Sequence, residues 1–151
     1  VLVDASWANA LDRKSTSGGI LRLQGFVLGW WSRTQQVIAQ STCEAELLAM
    51  NLGACEGRYV QQLLGEMNIK VKITLMSDSQ SACRTTGKRG PGRMRHLDIK
   101  ELWLQSEVRH GHIEVKHVPG DTNPADLLTK QLPAKKLDQM LELAGMRPCE
   151  P

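Results

Sequence analysis

Val71-Lys72-Ile73-Thr74-Leu75-Met76-Ser77-Asp78-Ser79-Gln80-Ser81 is the stretch on which the fold turns. Its first half has the β-branched and apolar content of a buried strand, and the apolar run stops on a carboxylate. From Ser79 to Arg84 the residues favour the start and continuation of a helix. An acid at the C-terminal end of a sheet strand, beside a helix start, stands where open α/β sheets place their ligands. Taken alone, Asp78 reads first as a helix N-cap or turn residue. Its company gives it a second meaning, because Asp4, Glu46 and Asp126 fall in three other segments.

Working outward, the chain has 151 residues, which suits one domain with a sizeable core. Its 41% hydrophobic and 23% charged residues are those of an ordinary globular protein rather than a disordered or membrane-spanning one. A net charge of +3 leans mildly toward polyanionic partners. The chain opens at Val1 inside an apolar run, with no basic leader and long apolar segment behind it, so we expect no signal peptide and a piece of a longer polypeptide. Cys43, Cys55, Cys83 and Cys149 are widely spaced without a Cys-x-x-Cys pair, which argues against a zinc site or disulfide framework and for a reducing compartment.

Upstream of the opening stretch, Val1 to Trp7 reads as a strand with Asp4 on one side and Val1 and Val3 on the other. Asn9 to Thr16 is a polar connection, and Ser17-Gly18-Gly19 reads as a turn into the strand Ile20–Leu23. Gly25 separates that strand from Phe26–Ser32, giving an antiparallel meander. Ser41 opens the longest helix, to about Met67, with Ser41-x-x-Glu44 as a capping box. Leu48, Leu52, Cys55, Tyr59, Leu63 and Met67 step by three and four and predict one buried stripe. Downstream come a short helix, a Gly/Pro/basic loop over Gly87–Arg95, a helix from His96 to Arg109 and a strand over Ile113–Val118. Asn123-Pro124 then starts a helix holding Asp126, Pro133 breaks it, and Lys135–Ala144 forms a last amphipathic helix. The order β-β-β-α-β-α-α-β-α-α predicts an α/β domain with a mixed sheet.

Converging carboxylates suit divalent-metal chemistry, since Mg²⁺ takes oxygen ligands and keeps several waters, and two such ions organise phosphodiester hydrolysis. Glu44 is explained by the capping box. Glu46, two residues on, points about 200° away and shares its face with the small or apolar Ala49, Met50 and Gly53. A lone carboxylate on that packed face calls for a metal or a salt bridge, because an unpaired buried charge is costly. Asp126, in a first helical turn, is equally accounted for by the helix dipole. Asp12 reads as solvated surface.

These residues resemble the ribonuclease H domain of copia-type (pseudoviral) retrotransposon polyproteins, nearly end to end. The similar blocks run from Asp4-Ala5-Ser6-Trp7-Ala8 to Leu128-Thr129-Lys130-Gln131-Leu132-Pro133. Between them, Arg13-Lys14-Ser15-Thr16-Ser17-Gly18 is similar to the family's RKSTSG block and Ser41–Ala49 to its STEAEY helix start. Ser77-Asp78-Ser79-Gln80-Ser81-Ala82 is similar to DNQSA, and His96-Leu97-Asp98-Ile99-Lys100 to KHIDI. The resemblance implies a ribonuclease H-like fold, a five-stranded mixed sheet with its first three strands antiparallel, flanked by helices. It also implies that Asp4, Glu46, Asp78 and Asp126 are the catalytic acids and the ligands of two Mg²⁺ ions, for which Mn²⁺ substitutes. The implied reaction is endonucleolytic cleavage of RNA in an RNA–DNA hybrid, leaving 3′-hydroxyl and 5′-phosphate ends. The implied partner is the reverse transcriptase portion of the same polyprotein, in a cytoplasmic particle or the nucleus, with no membrane. Ser6 and Ser79 stand where the family usually has Asp and Asn. The loop Pro119–Asn123 lacks the His that cellular enzymes place before the last acid, and we expect His117 to serve in strand packing.

Arg84, Lys88, Arg89, Arg93 and Arg95 place five positive charges with no acid among them, either as a phosphate-binding protrusion or as a solvated loop. Lys14, Ser15 and Thr16 are further candidates for a nucleic-acid backbone, although turn formation explains Ser15 to Gly18 as well. Ser6, Ser79 and Gln80 flank the acids, and backbone amides near Asp4 and Ser79 are candidates for the 2′-hydroxyl contacts that mark a hybrid. Trp30-Trp31 reads as one surface and one core aromatic. A different class remains open: a catalytically inactive ribonuclease H-like module that binds nucleic acid or scaffolds a polymerase.

Overall fold

The computed structural model describes residues 1–89 and 99–146. Strands β1 (Leu2–Ser6), β2 (Thr16–Leu23) and β3 (Phe26–Thr34) form the antiparallel meander. Strand β4 (Ile73–Ser77) joins β1 in parallel, and β5 (Ile113–His117) joins β4 in parallel. The sheet order β3-β2-β1-β4-β5 puts β1 at the centre. Helix α1 (Thr42–Glu66) crosses from β3 to β4, while α2 (Gln80–Thr86) and α3 (Ile99–Arg109) lie between β4 and β5. Two 3-10 turns, Gly120–Thr122 and Pro124–Leu128, precede α4 (Ala134–Ala144). The expected five-stranded mixed sheet is therefore found, and so is the element order, except that a short 3-10 turn stands where a helix was expected from Asn123 to Pro133. The start of the helix expected at His96, and the loop from Gly90 to Arg95, lie outside the described residues.

Helix α1 begins as its capping box predicts, with the Ser41 hydroxyl accepting the Glu44 amide at 3.2 Å. The Glu44 carboxylate reaches back one residue further than expected and accepts the Gln40 amide at 2.8 Å. The face it buries corrects the sequence reading. Ala45, Glu46, Ala49, Met50, Gly53, Ala54 and Gly57 are buried, whereas Tyr59 and Met67 are 66% and 64% exposed and Leu63 is also exposed. Leu48 and Leu52 are only partly buried, at the flank of the core. The reason is distance, since a methyl group on Gly53 would stand 2.5 Å from the Val3 side chain. A helix this close to its sheet selects small residues. Interior packing leaves no room for the larger stripe there.

The glycine pair corrects a second expectation. Ser17, Gly18 and Gly19 are not a turn but part of β2, paired with Ala5, Asp4 and Val3. A side chain on Gly19 would lie inside the Trp31 ring, and one on Gly18 would strike Leu128 and Thr129. Glycine is needed here for close approach rather than for a turn. Trp31 is buried and Trp30 exposed, as expected. Val3, Leu75, Ile73 and Ile113 carry the core between sheet and helices, each burial being worth about 1.5–3 kcal/mol.

Candidate metal centre

Parallel pairing of Leu2 with Met76 brings Asp4, two residues along β1, level with Asp78 just past β4. Glu46, in the second turn of α1, reaches the same point from the helix face that packs on the sheet. One oxygen from each of Asp4, Glu46 and Asp78 lies within 4.8 Å of the others. The turn after β4 is held by Ser77, whose hydroxyl accepts the Ser79 amide at 3.1 Å and donates to Glu46 at 3.4 Å.

Asp126 arrives differently. Asn123 is fully buried and caps the Pro124–Leu128 turn by accepting the Ala125 amide at 3.3 Å. Its amide group donates to the Val3 carbonyl at 2.9 Å, which pins the turn to the central strand. Asp126 then meets Asp4 through a lysine rather than joining the three-acid cluster. The Lys130 ammonium lies 2.8 Å from Asp126 Oδ1 and 3.2 Å from Asp4 Oδ1. Thr129 donates to the other Asp4 oxygen, and Lys136 stands 3.9 Å from Asp126 Oδ2.

Burial pushes the Glu46 carboxyl up to about 8, and the Asp4 and Asp78 charges add to that. Burial likewise raises the Asp4 carboxyl, against the opposing Thr129 hydrogen bond and Lys130 charge. For Lys130 burial pulls downward, but the Asp126 hydrogen bond and the charges of both aspartates outweigh it and hold the ammonium above the ordinary lysine value. Without a cation, the cluster therefore holds a proton on Glu46 at neutral pH. Three hard oxygen donors with an unmet like-charge repulsion fit a divalent ion such as Mg²⁺ or Mn²⁺.

Two neighbours shape the rim. His117 is exposed rather than packed in its strand, correcting that expectation, and its Nε2 lies 3.0 Å from the Asp78 carbonyl oxygen. A carbonyl only accepts, so this nitrogen carries the proton. Gly120 sits so near that an added methyl group would come within 3.0 Å of Asp78 Oδ2.

The expected backbone contacts divide into available and committed groups. Arg84 on α2 and Lys88 and Arg89 after it are exposed, as is Gln80 at the helix start. Arg93 and Arg95 lie outside the described residues. Ser15 is fully buried and its hydroxyl accepts the Ala8 amide at 3.1 Å, so it shapes the β1–β2 connection and is not open to a ligand. Thr16 donates to Asn9 at 3.1 Å, and Lys14 pairs with Asp12 at 3.1 Å. Ser79 caps α2 through its hydroxyl and gives its amide to Ser77, so that amide is already satisfied. Ser6, at the end of β1, is half-buried opposite Thr16. Sequence reasoning read Asn123 only as a cap, without its bond to β1, and it missed Ser77, Thr129 and Lys130. Only the last had a usable signal, a lysine four residues after an acid.

No family model matches the chain. It is 32% identical over 146 residues to the retrovirus-related Pol polyprotein from transposon TNT 1-94 of Nicotiana tabacum, covering 95% of this chain and 11% of that protein. It is also 32% identical over 138 residues to the transposon Ty1-ER2 Gag-Pol polyprotein of Saccharomyces cerevisiae, covering 89% of this chain and 8% of that one. The chain thus spans about a tenth of the length of these curated relatives. Among solved structures, the N-terminal RNase H domain of Rv2228c from Mycobacterium tuberculosis, solved as a fusion with maltose binding protein, superimposes with a TM-score of 0.61. The two are 13% identical and the match covers 95% of both chains. LC11-RNase H1, solved in complex with an RNA/DNA hybrid, gives a TM-score of 0.54 at 15% identity over 84% of this chain and 90% of its own. The likeness in sequence and the likeness in shape converge: the chain has the ribonuclease H fold and belongs with the corresponding segment of copia-type retrotransposon Pol polyproteins.

Proposed function

We propose that this chain is a divalent-metal-dependent endonuclease that hydrolyses the RNA strand of RNA–DNA hybrids during reverse transcription. The observation that carries the reading is the convergence of Asp4, Glu46 and Asp78 within 4.8 Å in a partly buried site. Like-charged carboxylates are brought together there at a cost that a divalent cation would offset. Asp4, Glu46 and Asp78 would hold the first ion, and Asp4 with Asp126 the second. Bound there, the ions would activate a water and stabilise the leaving oxygen of the phosphodiester.

The rest is done by the chain. Thr129 fixes the rotamer of Asp4, Ser77 orients Glu46, and Gly120 leaves room for the Asp78 carboxylate. Exposed Arg84, Lys88 and Arg89 would meet phosphates and supply affinity without sequence choice. We read residues 1–151 as one unit of a longer polyprotein whose reverse transcriptase portion presents the hybrid, in a cytoplasmic particle or the nucleus. No helix among the described residues is long and apolar enough to cross a membrane.

Cleavage of a labelled RNA–DNA hybrid with Mg²⁺ or Mn²⁺ tests this, with RNA–RNA and DNA–DNA duplexes as controls. The hybrid alone should be cut, and Asp78→Asn should reduce the rate by on the order of a thousandfold, equivalent to several kcal/mol of transition-state stabilisation. Hybrid binding without cleavage or metal uptake would instead identify a catalytically inactive binding module.

A further inference from the structure

We propose that Lys130 is a built-in counter-ion that holds the place of a second divalent cation between Asp4 and Asp126, so that a cation binding there must displace it. The inference rests on the nuclease reading of the acid centre.

Asp4 is 1% and Asp126 4% exposed, so each needs a cationic partner where it lies. The Lys130 ammonium serves both, at 3.2 and 2.8 Å. It takes the Asp4 oxygen that Thr129 leaves free. A cation shared by these two aspartates would claim the same space. The lysine has a route out, since its side chain is 40% exposed while the aspartates are not. Lys136 is a weaker competitor, 3.9 Å from Asp126 and shared with the exposed Asp121 at 3.5 Å. Glu46 and Asp78 form no ion pair among the described residues, so the Asp4–Glu46–Asp78 cluster receives a cation with Lys130 still in place.

The two positions are therefore unequal. The first fills without expelling an ammonium; the second fills only by exchanging one cation for another. Displacement also frees an ammonium beside the site, where the entering phosphate brings negative charge.

Mn²⁺ binding to the full chain, followed by calorimetry and by the electron paramagnetic resonance of unbound Mn²⁺, separates the two. Wild type should show a tighter and a weaker event. In Lys130→Met the weaker event should tighten at least tenfold, and Lys130→Arg, which keeps the charge, should leave it weak. Asp126→Asn should remove the weaker event and spare the tighter one, a result that does not depend on how well the methionine variant folds. A weaker constant in Lys130→Met within twofold of wild type would overturn the inference while leaving the nuclease reading intact, and so would survival of both events in Asp126→Asn. If wild type takes up no Mn²⁺ at all, both fail together.

Discussion

The two sides of the acid centre solve the same electrostatic problem by different means. On one side Asp4 and Asp126 share the Lys130 ammonium, and Thr129 adds a hydrogen bond to Asp4. On the other, Glu46 has a serine hydroxyl at 3.4 Å and two carboxylates for neighbours, and it resolves the conflict by keeping a proton up to about pH 8. One side is neutralised by a side chain, the other by protonation. The difference teaches that the protein is prepared for a cation without being wholly dependent on one. A site filled entirely with lysines would exclude metal, and one with none would repel itself apart.

The largest effect that would break this comparison concerns pH. Unfolded, Glu46 titrates at its ordinary 4.5; folded, at about 8. Between those values the folded chain binds more protons, so metal-free stability should fall as pH rises through that window. At about 1.4 kcal/mol per unit of pKa the loss is at most about 5 kcal/mol. Denaturant midpoints measured from pH 5 to 9 should show this slope, Glu46→Gln should flatten it, and saturating Mg²⁺ should reduce it. A flat metal-free profile would mean that Glu46 is ionised and the two sides are alike.

A smaller effect sharpens the other side. Thr129→Val keeps the shape but strips Asp4 of a charge-assisted hydrogen bond, and should lower stability by about 1.5–3 kcal/mol. Thermal unfolding without metal reads this directly, and an unchanged midpoint would show that Lys130 alone suffices for Asp4. The smallest effect lies outside the centre. Replacing Arg84, Lys88 and Arg89 by alanine should change stability by less than about 0.5 kcal/mol. It should nonetheless flatten the salt dependence of hybrid binding, by roughly one in log–log slope for each phosphate that is no longer neutralised. A slope that stays put would assign those charges to solvent.

What the sequence disclosed, and what it hid, follows the range of the interactions concerned. Asp78 at the end of an apolar run and the Ser41 cap were legible because each is a local pattern, and both are found; Asn123 caps as expected but opens a 3-10 turn rather than the helix read there. Glu46 was legible from the small residues sharing its face. The stripe from Leu48 to Met67 misled because side-chain size was taken for burial, whereas α1 approaches β1 closely enough that Gly53 and Gly57 do the packing. Gly18 and Gly19 misled for a related reason: their meaning lies in Trp31, Leu128 and Thr129, which are distant in sequence. Lys130 was visible only as a charge, since nothing local says that Asp4 lies across from it. The role of Ser15 was hidden in the same way, by its contact with the Ala8 amide.

The link from Asn123 to Val3 has a consequence for synthesis. It joins residues 120 positions apart, and the Lys130 link to Asp4 spans 126. As the chain leaves the ribosome, the first three strands and α1 emerge together, and Asp4 and Glu46 can meet early. Their counter-ion and the fourth acid emerge last, at the usual pace of about 5–20 residues per second. Until then the nascent chain carries an incomplete centre, and closing so long a loop is a late step. Ribosome-stalled chains ending before Asn123 should therefore remain open to protease around β1, and those extending past Lys130 should not. On the function proposed above, such a delay would keep the acid centre incomplete until the segment around Lys130 has been made.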